Sequence, residues 1–184
     1  MASTQLTRTP ASAGNRKTWT WSGWVKRSGL GSRQMLFVAR SDSGSDRFFL
    51  EFESDDDIQI SEVASVYDFQ YITDRKFRDT SAWYHIVVSV DTTQATASDR
   101  LKLYVNGVQE TSFSTTDNPS LNYDTSVNSN EAHAIGSRAL SSTDNFDGSM
   151  THVHFIDGTA YDASAFGETD ATTGIWKPKT APSV

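Results

Sequence analysis

Residues 83–109, WYHIVVSVDTTQATASDRLKLYVNGVQ, constrain the fold more than any other part of the chain. Apolar and polar side chains alternate over residues 84–90 and again over residues 101–105, which is the period of a half-buried β-strand. The second run ends on Asn106-Gly107, a pair typical of the two-residue type I′ turn that joins antiparallel strands. The sequence therefore predicts two antiparallel strands and a tight return with positive φ at both turn residues.

The rest of the chain has the same character, with short apolar runs separated by turns rich in Gly, Ser, Asn and Asp. No segment shows the helical period of about 3.6 residues. Many short strands in a chain of 184 residues predict one all-β domain, an antiparallel two-sheet sandwich. Further strands are predicted at residues 19–26, 35–40, 47–54, 58–60, 63–73, 132–136 and 150–156. The predicted core consists of Trp19, Trp21, Val25, Phe48, Leu50, Phe52, Ile86, Val88, Val90, Leu101, Leu103, Val105, Val153 and Phe155.

The composition limits the classes of partner and of chemistry. The formal net charge is −7, so the chain lacks a general attraction to phosphate backbones, and nucleic acid is not an expected partner. Cysteine is absent, which excludes disulfides and thiolate chemistry. We find no apolar run of membrane-spanning length and no hydrophobic leader, so neither membrane insertion nor a signal peptide is expected. A β-sandwich of this kind, without cystines or glycosylation sequons, fits a protein made in the cytoplasm that works outside, as virion components do.

Several segments resemble a known family. Residues 83–109, the run TWTWSGWVKRS at 18–28 and residues 132–168 resemble the central, first and closing strands of LamG-like domains, which are concanavalin A-like jelly rolls. The runs at residues 8–31, 83–107 and 166–179 are most similar to the subset of these domains found in bacteriophage tail fibres and other virion surface proteins.

The resemblance implies a non-enzymatic virion structural protein, a short fibre head or a capsid decoration protein, for assembly and for adhesion to a host-surface glycan. Its expected partners are other capsid or tail subunits, including copies of itself, and its expected location is the exterior of the particle. A free-standing carbohydrate-binding lectin is the alternative, and a laminarinase-type glycosidase is a remote one. The expected organisation is an N-terminal arm over residues 1–17, a LamG-like domain over residues 18–168 and a C-terminal tail over residues 169–184.

Paired carboxylates are the feature that the glycosidase alternative requires. Glu51, Glu53 and Asp55 lie two residues apart, so they would project from one strand face, as an acid and a nucleophile must. The neighbouring residues do not match the motif of laminarinase-type enzymes, and the run from Asp55 to Asp57 is typical of a solvated turn. The sequence therefore predicts no catalytic residue.

Two groups of side chains could hold a metal. His152 and His154 share a strand face, but no third ligand is indicated, so outward-facing histidines on a solvated sheet are expected. Calcium is the cofactor that the family resemblance implies, and loops 42–46 and 144–148 carry carboxylates suited to a hard cation. The same residue types also make turns. No cofactor is therefore required, but if calcium is bound we expect Asp144 and Asp147 to be its ligands.

Sugar binding needs an exposed aromatic plane beside hydrogen-bonding side chains. Strand alternation turns Trp24 away from the predicted core and places it near Lys26, so both are candidate glycan ligands. Trp83 and Tyr104 are comparable candidates. Large aromatic side chains of a sandwich are more often part of the core, and that interpretation competes at each of these positions.

The C-terminal tail is a candidate for partner contact. In longer fibre proteins the segment GIWKPK leads into another β-strand, whereas here the chain stops shortly after Trp176. A sandwich that lacks this strand would leave an open edge for a neighbour to cover. We therefore expect Trp176 to be exposed and to contact a partner subunit, and we expect the fold to survive deletion of residues 175–184.

Overall fold

Two antiparallel sheets and a short C-terminal ribbon make up the fold, in a computed structural model that describes residues 4–40, 47–138 and 144–184. The strands are β1 (Leu6–Arg8), β2 (Thr18–Arg27), β3 (Gln34–Arg40), β4 (Arg47–Phe52), β5 (Ile58–Val63), β6 (Tyr67–Thr73), β7 (Tyr84–Asp91), β8 (Leu101–Val105), β9 (Val108–Gln109), β10 (Phe113–Asp117), β11 (Ala132–Ile135), β12 (Gly148–Asp157), β13 (Gly167–Thr169) and β14 (Trp176–Pro178). A seven-stranded sheet has the order β1-β11-β3-β4-β5-β6-β10, and a five-stranded sheet has the order β12-β2-β7-β8-β9. The predicted two-sheet sandwich is confirmed.

Both ends of the described chain are hydrogen-bonded to the rest of the fold. β1 pairs with β11, with Leu6 opposite Ile135. β14 pairs with β13, which spans the predicted boundary between residues 168 and 169. The amide of Ser183 donates to the carbonyl of Ala165 at 2.8 Å. In the described part of the chain, no helix has the length and apolarity needed to cross a membrane.

An aromatic core fills the space between the sheets. Trp19 and Trp21 of β2 are fully buried, and the Trp19 ring packs edge-on against Phe48 with a centroid distance of 5.2 Å. Such pairs add about 0.5–1.5 kcal/mol to the gain from burial. Gly23 lets the Trp21 ring lie against the backbone, because a Cβ atom at Gly23 would be 2.6 Å from the ring. All but two of the predicted core residues are buried.

The prediction that Val153 and Phe155 are buried is wrong. Val153 is half-buried, and Phe155 is 38% exposed. Both lie in β12, an edge strand whose register against β2 shifts between Thr151 and His154. His152 adopts a φ of +48° inside this bulge. Because a bulge inserts an extra residue and bends its strand, side-chain alternation read from the sequence does not carry through it.

The predicted return at Asn106-Gly107 is confirmed. Asn106 has a φ of +50° and Gly107 a φ of +84°, and the flanking residues Val105 and Val108 pair across the turn. Positive φ at both central residues is the requirement of a type I′ turn. Gly107 has a second role, because a Cβ atom there would be 2.8 Å from the ring of Trp176.

The substitution Gly107→Val should lower the free energy of unfolding by about 2–3 kcal/mol, measured by urea denaturation. The loss combines backbone strain at positive φ with displacement of the Trp176 ring. Gly158→Val is the matched control, because Gly158 has a φ of +81° but no atom lies within 4 Å of its added Cβ. Equal losses in the two variants would mean that the contact with Trp176 contributes nothing.

Candidate functional site

The C-terminal segment covers much of the outer face of the five-stranded sheet. Val87 of β7 is buried in one apolar cluster with Phe166 and with the alanines of a short 3-10 turn, Ala163–Ala165. Trp176 packs against the same cluster. This face of the sandwich is therefore occupied by the chain's own C-terminal residues.

His85 lies two residues before Val87 on β7, so its side chain is on the same covered face. Its ring stacks on Trp24 with a centroid distance of 4.8 Å. Its Nδ1 atom accepts a hydrogen bond from the indole Nε1–H of Trp176 at 3.0 Å, and its Nε2 atom lies 3.0 Å from Oγ of Ser22. An indole can only donate, so Nδ1 carries no proton and Nε2–H donates to the hydroxyl. Burial, and then the neighbouring histidines of β12, lower the pKa of His85 to about 4.

The predicted glycan ligands are not equally accessible. Trp24 is not the exposed ring that was expected, because it is only 7% exposed and stacks on His85. Its contact with a glycan stays a prediction. Tyr104 is half-buried against the C-terminal cluster. Lys26 is half-buried and Trp83 is 40% exposed, so Trp83 is the most accessible member of the predicted set.

Trp176 is not a free ring at the end of the chain, contrary to expectation. It is half-buried, and a Cβ atom at Gly167 would be 2.4 Å from its ring. Together with the hydrogen bond to His85, this contact fixes the indole on its own sandwich. An exposed apolar ring therefore no longer argues for a subunit contact, and the expected tolerance to deletion of residues 175–184 loses its basis. Contact of Trp176 with a partner stays a prediction.

Two of the three carboxylates considered for catalysis, Glu51 and Glu53, lie against Arg33. β4 ends at Phe52, so Glu53 and Asp55 lie beyond the strand. Glu51 is 1% exposed, with Oε2 at 3.5 Å from Nε of Arg33, and Nη2 of the same arginine donates to Glu53 at 2.6 Å. Burial raises the pKa of Glu51 to about 8. None of these carboxylates lines the cleft described below.

The predicted calcium ligands have different surroundings. The carboxylate of Asp144 pairs with Nη1 of Arg138 at 3.2 Å. The carboxylate of Asp147 makes no hydrogen bond or ion pair with the residues that the structure describes. Among those residues, no three His, Asp or Glu side chains are grouped closely enough to hold a metal. The other loop considered for calcium, residues 42–46, lies outside the described residues, and calcium binding stays a prediction.

A cleft of about 600 Å³ opens on one side of the sandwich. It lies between β1 and β11 of the larger sheet and β12 of the smaller one, with residues 10–14 along its rim. Phe155 provides an aromatic surface in the cleft and is held from behind by Phe37 and Trp19, at centroid distances of 5.9 and 6.1 Å. Because its ring is supported and 38% exposed, Phe155 offers a rigid apolar plane to a bound molecule.

Polar groups line the wall of the cleft around this ring. Oδ1 of Asp157 accepts hydrogen bonds from the amide of Asn15 at 2.8 Å and from Nδ2 of Asn128 at 2.6 Å. The amide of Asn128 donates to Nε2 of His133 at 2.9 Å, so Nδ1–H of His133 donates to the carbonyl of Glu131 at 2.8 Å. Burial lowers the pKa of His133, which fits this neutral form. The wall is therefore rigid and hydrogen-bonded before any ligand binds.

This cleft was not predicted from the sequence. Phe155 was placed in the core, and Arg8, Asn128, His133 and Asp157 were not proposed as ligands. The cleft unites segments far apart in the chain, so no local pattern marks it. The one local signal is Asp157-Gly158, a polar pair that ends a strand of otherwise alternating residues.

The sequence profile of the family described as the concanavalin A-like lectin/glucanases superfamily matches residues 2–164. The match covers most of the chain. This chain belongs to the concanavalin A-like lectin/glucanase superfamily. No curated protein is similar enough in sequence to count as a match.

Solved structures of the superfamily's fold include proteins with bound sugars. Domain 4 of AbnA, an extracellular arabinanase of Geobacillus stearothermophilus solved with arabinotriose, has a TM-score of 0.56 at 20% identity, covering 82% of this chain and 65% of that one. The CBM40 of Ruminococcus gnavus IT-sialidase, bound to α2,3-sialyllactose, has a TM-score of 0.52 at 12% identity, covering 79% and 76%. Domains LG4-5 of the mouse laminin α1 chain have a TM-score of 0.59 at 15% identity, covering 97% and 46%. At these identities the likeness shows the shared fold.

Proposed function

We propose that this chain is a non-enzymatic carbohydrate-binding module whose site is the cleft beside Phe155. The observation that carries the proposal is a supported, partly exposed aromatic ring beside fixed hydrogen-bonding groups, which is the combination that a sugar requires. The fold is that of lectins and glucanases, and some proteins with a similar structure were solved with bound sugars, which supports the proposal of carbohydrate binding.

The arrangement of the carboxylates supports binding without hydrolysis. A glycosidase needs two carboxyl groups facing the same sugar, separated by roughly 5–10 Å. In the cleft, Asp157 already accepts two hydrogen bonds from the chain, and Glu51 and Glu53 share Arg33 elsewhere. We expect no release of reducing ends from laminarin by the purified protein.

Truncation of the ring tests the proposed site. We expect Phe155→Ala to weaken oligosaccharide binding about tenfold or more, measured by titration calorimetry. Because the ring is partly exposed, the same change should lower the free energy of unfolding by only about 1–2 kcal/mol. Tyr67→Ala is the matched control, since Tyr67 is a 52% exposed aromatic residue outside the cleft. Equal affinity in wild type and Phe155→Ala would contradict the proposal.

We further propose that the module is displayed on the exterior of a bacteriophage particle, on capsid or tail, as a homo-oligomer among other virion subunits. The support is the similarity of residues 8–31, 83–107 and 166–179 to virion surface proteins. The alternative is a free-standing lectin. Electron microscopy of purified particles decides between these two alternatives. A virion subunit would be present on each particle in fixed copy number, whereas a free-standing lectin would be absent from the particles.

We propose that sugar binding in the cleft does not depend on calcium. Asp144 is already paired with Arg138, and neither Asp144 nor Asp147 lines the cleft. Removal of calcium with EDTA should therefore leave the affinity of the cleft unchanged.

A further inference from the structure

A second cavity continues the cleft along the open side of the sandwich. It encloses about 470 Å³ and is lined by Gln5, Phe146, Asp147 and Met150, among others. Leu6 and its register partner Ile135 line both cavities, so the two meet at this pair. Leu6 is 68% exposed and forms the ridge between them.

The two cavities follow β12. Met150 lines the second cavity and Phe155 the first. Their partners on β2, Val25 and Trp21, are four residues apart, which corresponds to roughly 13 Å at about 3.3 Å per residue. A single sugar ring would occupy only part of this length. An extended chain of sugars would reach both cavities across Leu6.

We propose that the two cavities are successive subsites for one linear, neutral oligosaccharide lying along β12. The inference rests on the proposed function and names its ligand class. Phe155 would contact one sugar, the apolar ridge at Leu6 would carry the next linkage, and Phe146 and Met150 would form an apolar surface for the distal sugars. Asp147 would accept hydrogen bonds from their hydroxyl groups, because its carboxylate has no partner within the described residues.

The charges favour a neutral ligand. Arg8 is the one cation among the described residues that line the two cavities, whereas Asp147 and Asp157 both carry carboxylates there. The molecule as a whole has a net charge of −7, which repels a polyanionic glycan. The lining is otherwise apolar or uncharged, as suits sugar rings with their hydroxyl groups.

The shape of β12 disfavours an extended peptide as the occupant. Addition of a peptide strand needs a regular row of main-chain donors and acceptors along a free edge. The bulge between Thr151 and His154, with positive φ at His152, interrupts that row midway between the two cavities.

The test is titration calorimetry of the full chain with arabino-, laminari- and cello-oligosaccharides from disaccharide to hexasaccharide, with oligogalacturonates as the acidic series. We expect the affinity for one neutral series to rise about tenfold or more with length. Asp147→Ala should reduce the gain from length, whereas Phe155→Ala should weaken every length. Asp55→Ala, which removes an exposed carboxylate outside both cavities, is the control.

Each outcome supports or overturns the proposal. Equal affinity for all lengths, or a preference for oligogalacturonates, would overturn it while leaving sugar binding in the cleft intact. Displacement of the hexasaccharide by a peptide with the β12 sequence, with new hydrogen-exchange protection along β12, would indicate strand addition and also overturn it. Absence of any binding that depends on Phe155 would refute the proposed function itself.

Discussion

Asp56→Ala should lower the free energy of unfolding by about 3–5 kcal/mol, because it leaves a buried guanidinium without its counter-ion. Arg27 is fully buried, and its Nη2 atom lies 3.0 Å from Oδ1 of Asp56. The same carboxylate accepts hydrogen bonds from the amide of Gly31 at 2.9 Å and from Nε of Arg78 at 3.2 Å. Burial alone would raise the pKa of Asp56, but these donors together lower it.

Two further variants isolate the charge. Asp56→Asn keeps an oxygen acceptor and tolerates the φ of +66° at this position, so it should lose less than the alanine variant. Asp55→Ala removes the exposed neighbouring carboxylate and should change stability by no more than about 0.5 kcal/mol. Chemical denaturation of all three measures the differences. A loss below about 1 kcal/mol in Asp56→Ala would mean that Arg27 finds another partner or water.

Acidification from about pH 6.5 to about pH 4 should remove about 3 kcal/mol of stability through His85 alone. The folded pKa of about 4 lies below the unfolded value of about 6.5, so the unfolded chain binds the proton first and stability falls as the pH drops between them. Burial of the ring is the main cause of the lowered pKa, followed by His154 and His152. Protonation of Nδ1 would also break the hydrogen bond that it accepts from the indole N–H of Trp176.

Comparison of wild type with His85→Gln measures this contribution. Glutamine can accept from Trp176 and donate to Ser22 without titrating. Burial lowers the pKa values of His133 and His154, so these two groups also destabilise the fold as the pH falls. Burial raises the pKa values of Glu51 and Glu62 to about 8 and about 7, so these two groups stabilise the fold as the pH falls. These effects are common to both proteins. The difference in free energy of unfolding between wild type and His85→Gln should therefore become smaller as the pH falls. The same pH dependence in both proteins would contradict the role of His85.

Most strands were predictable because their signal is local. Alternation over residues 84–90 and 101–105 gave strands that the structure places at Tyr84–Asp91 and Leu101–Val105. The same reasoning failed at Val153 and Phe155, where a bulge in an edge strand breaks the period. Turn chemistry at Asn106-Gly107 was readable because only a few residue pairs tolerate positive φ at both positions.

The covered face and the cleft were not predictable, because both depend on contacts between distant segments. Trp176 and His85 are separated by 91 positions, and nothing in either neighbourhood marks them as partners. Alternation correctly turned Trp24 away from the main core, but it could not reveal that the C-terminal segment covers that face. The cleft depends in the same way on how β1, β11 and β12 meet.

Chemical-shift mapping by NMR, with the tightest neutral oligosaccharide added to the full chain, locates the sugar-binding surface. We expect saturable shifts concentrated at Arg8, His133 and Phe155, with the sugar recovered unhydrolysed. Shifts concentrated at Lys26 and Trp83 instead, or no saturable shifts with any oligosaccharide of the panel, would contradict sugar binding in the cleft.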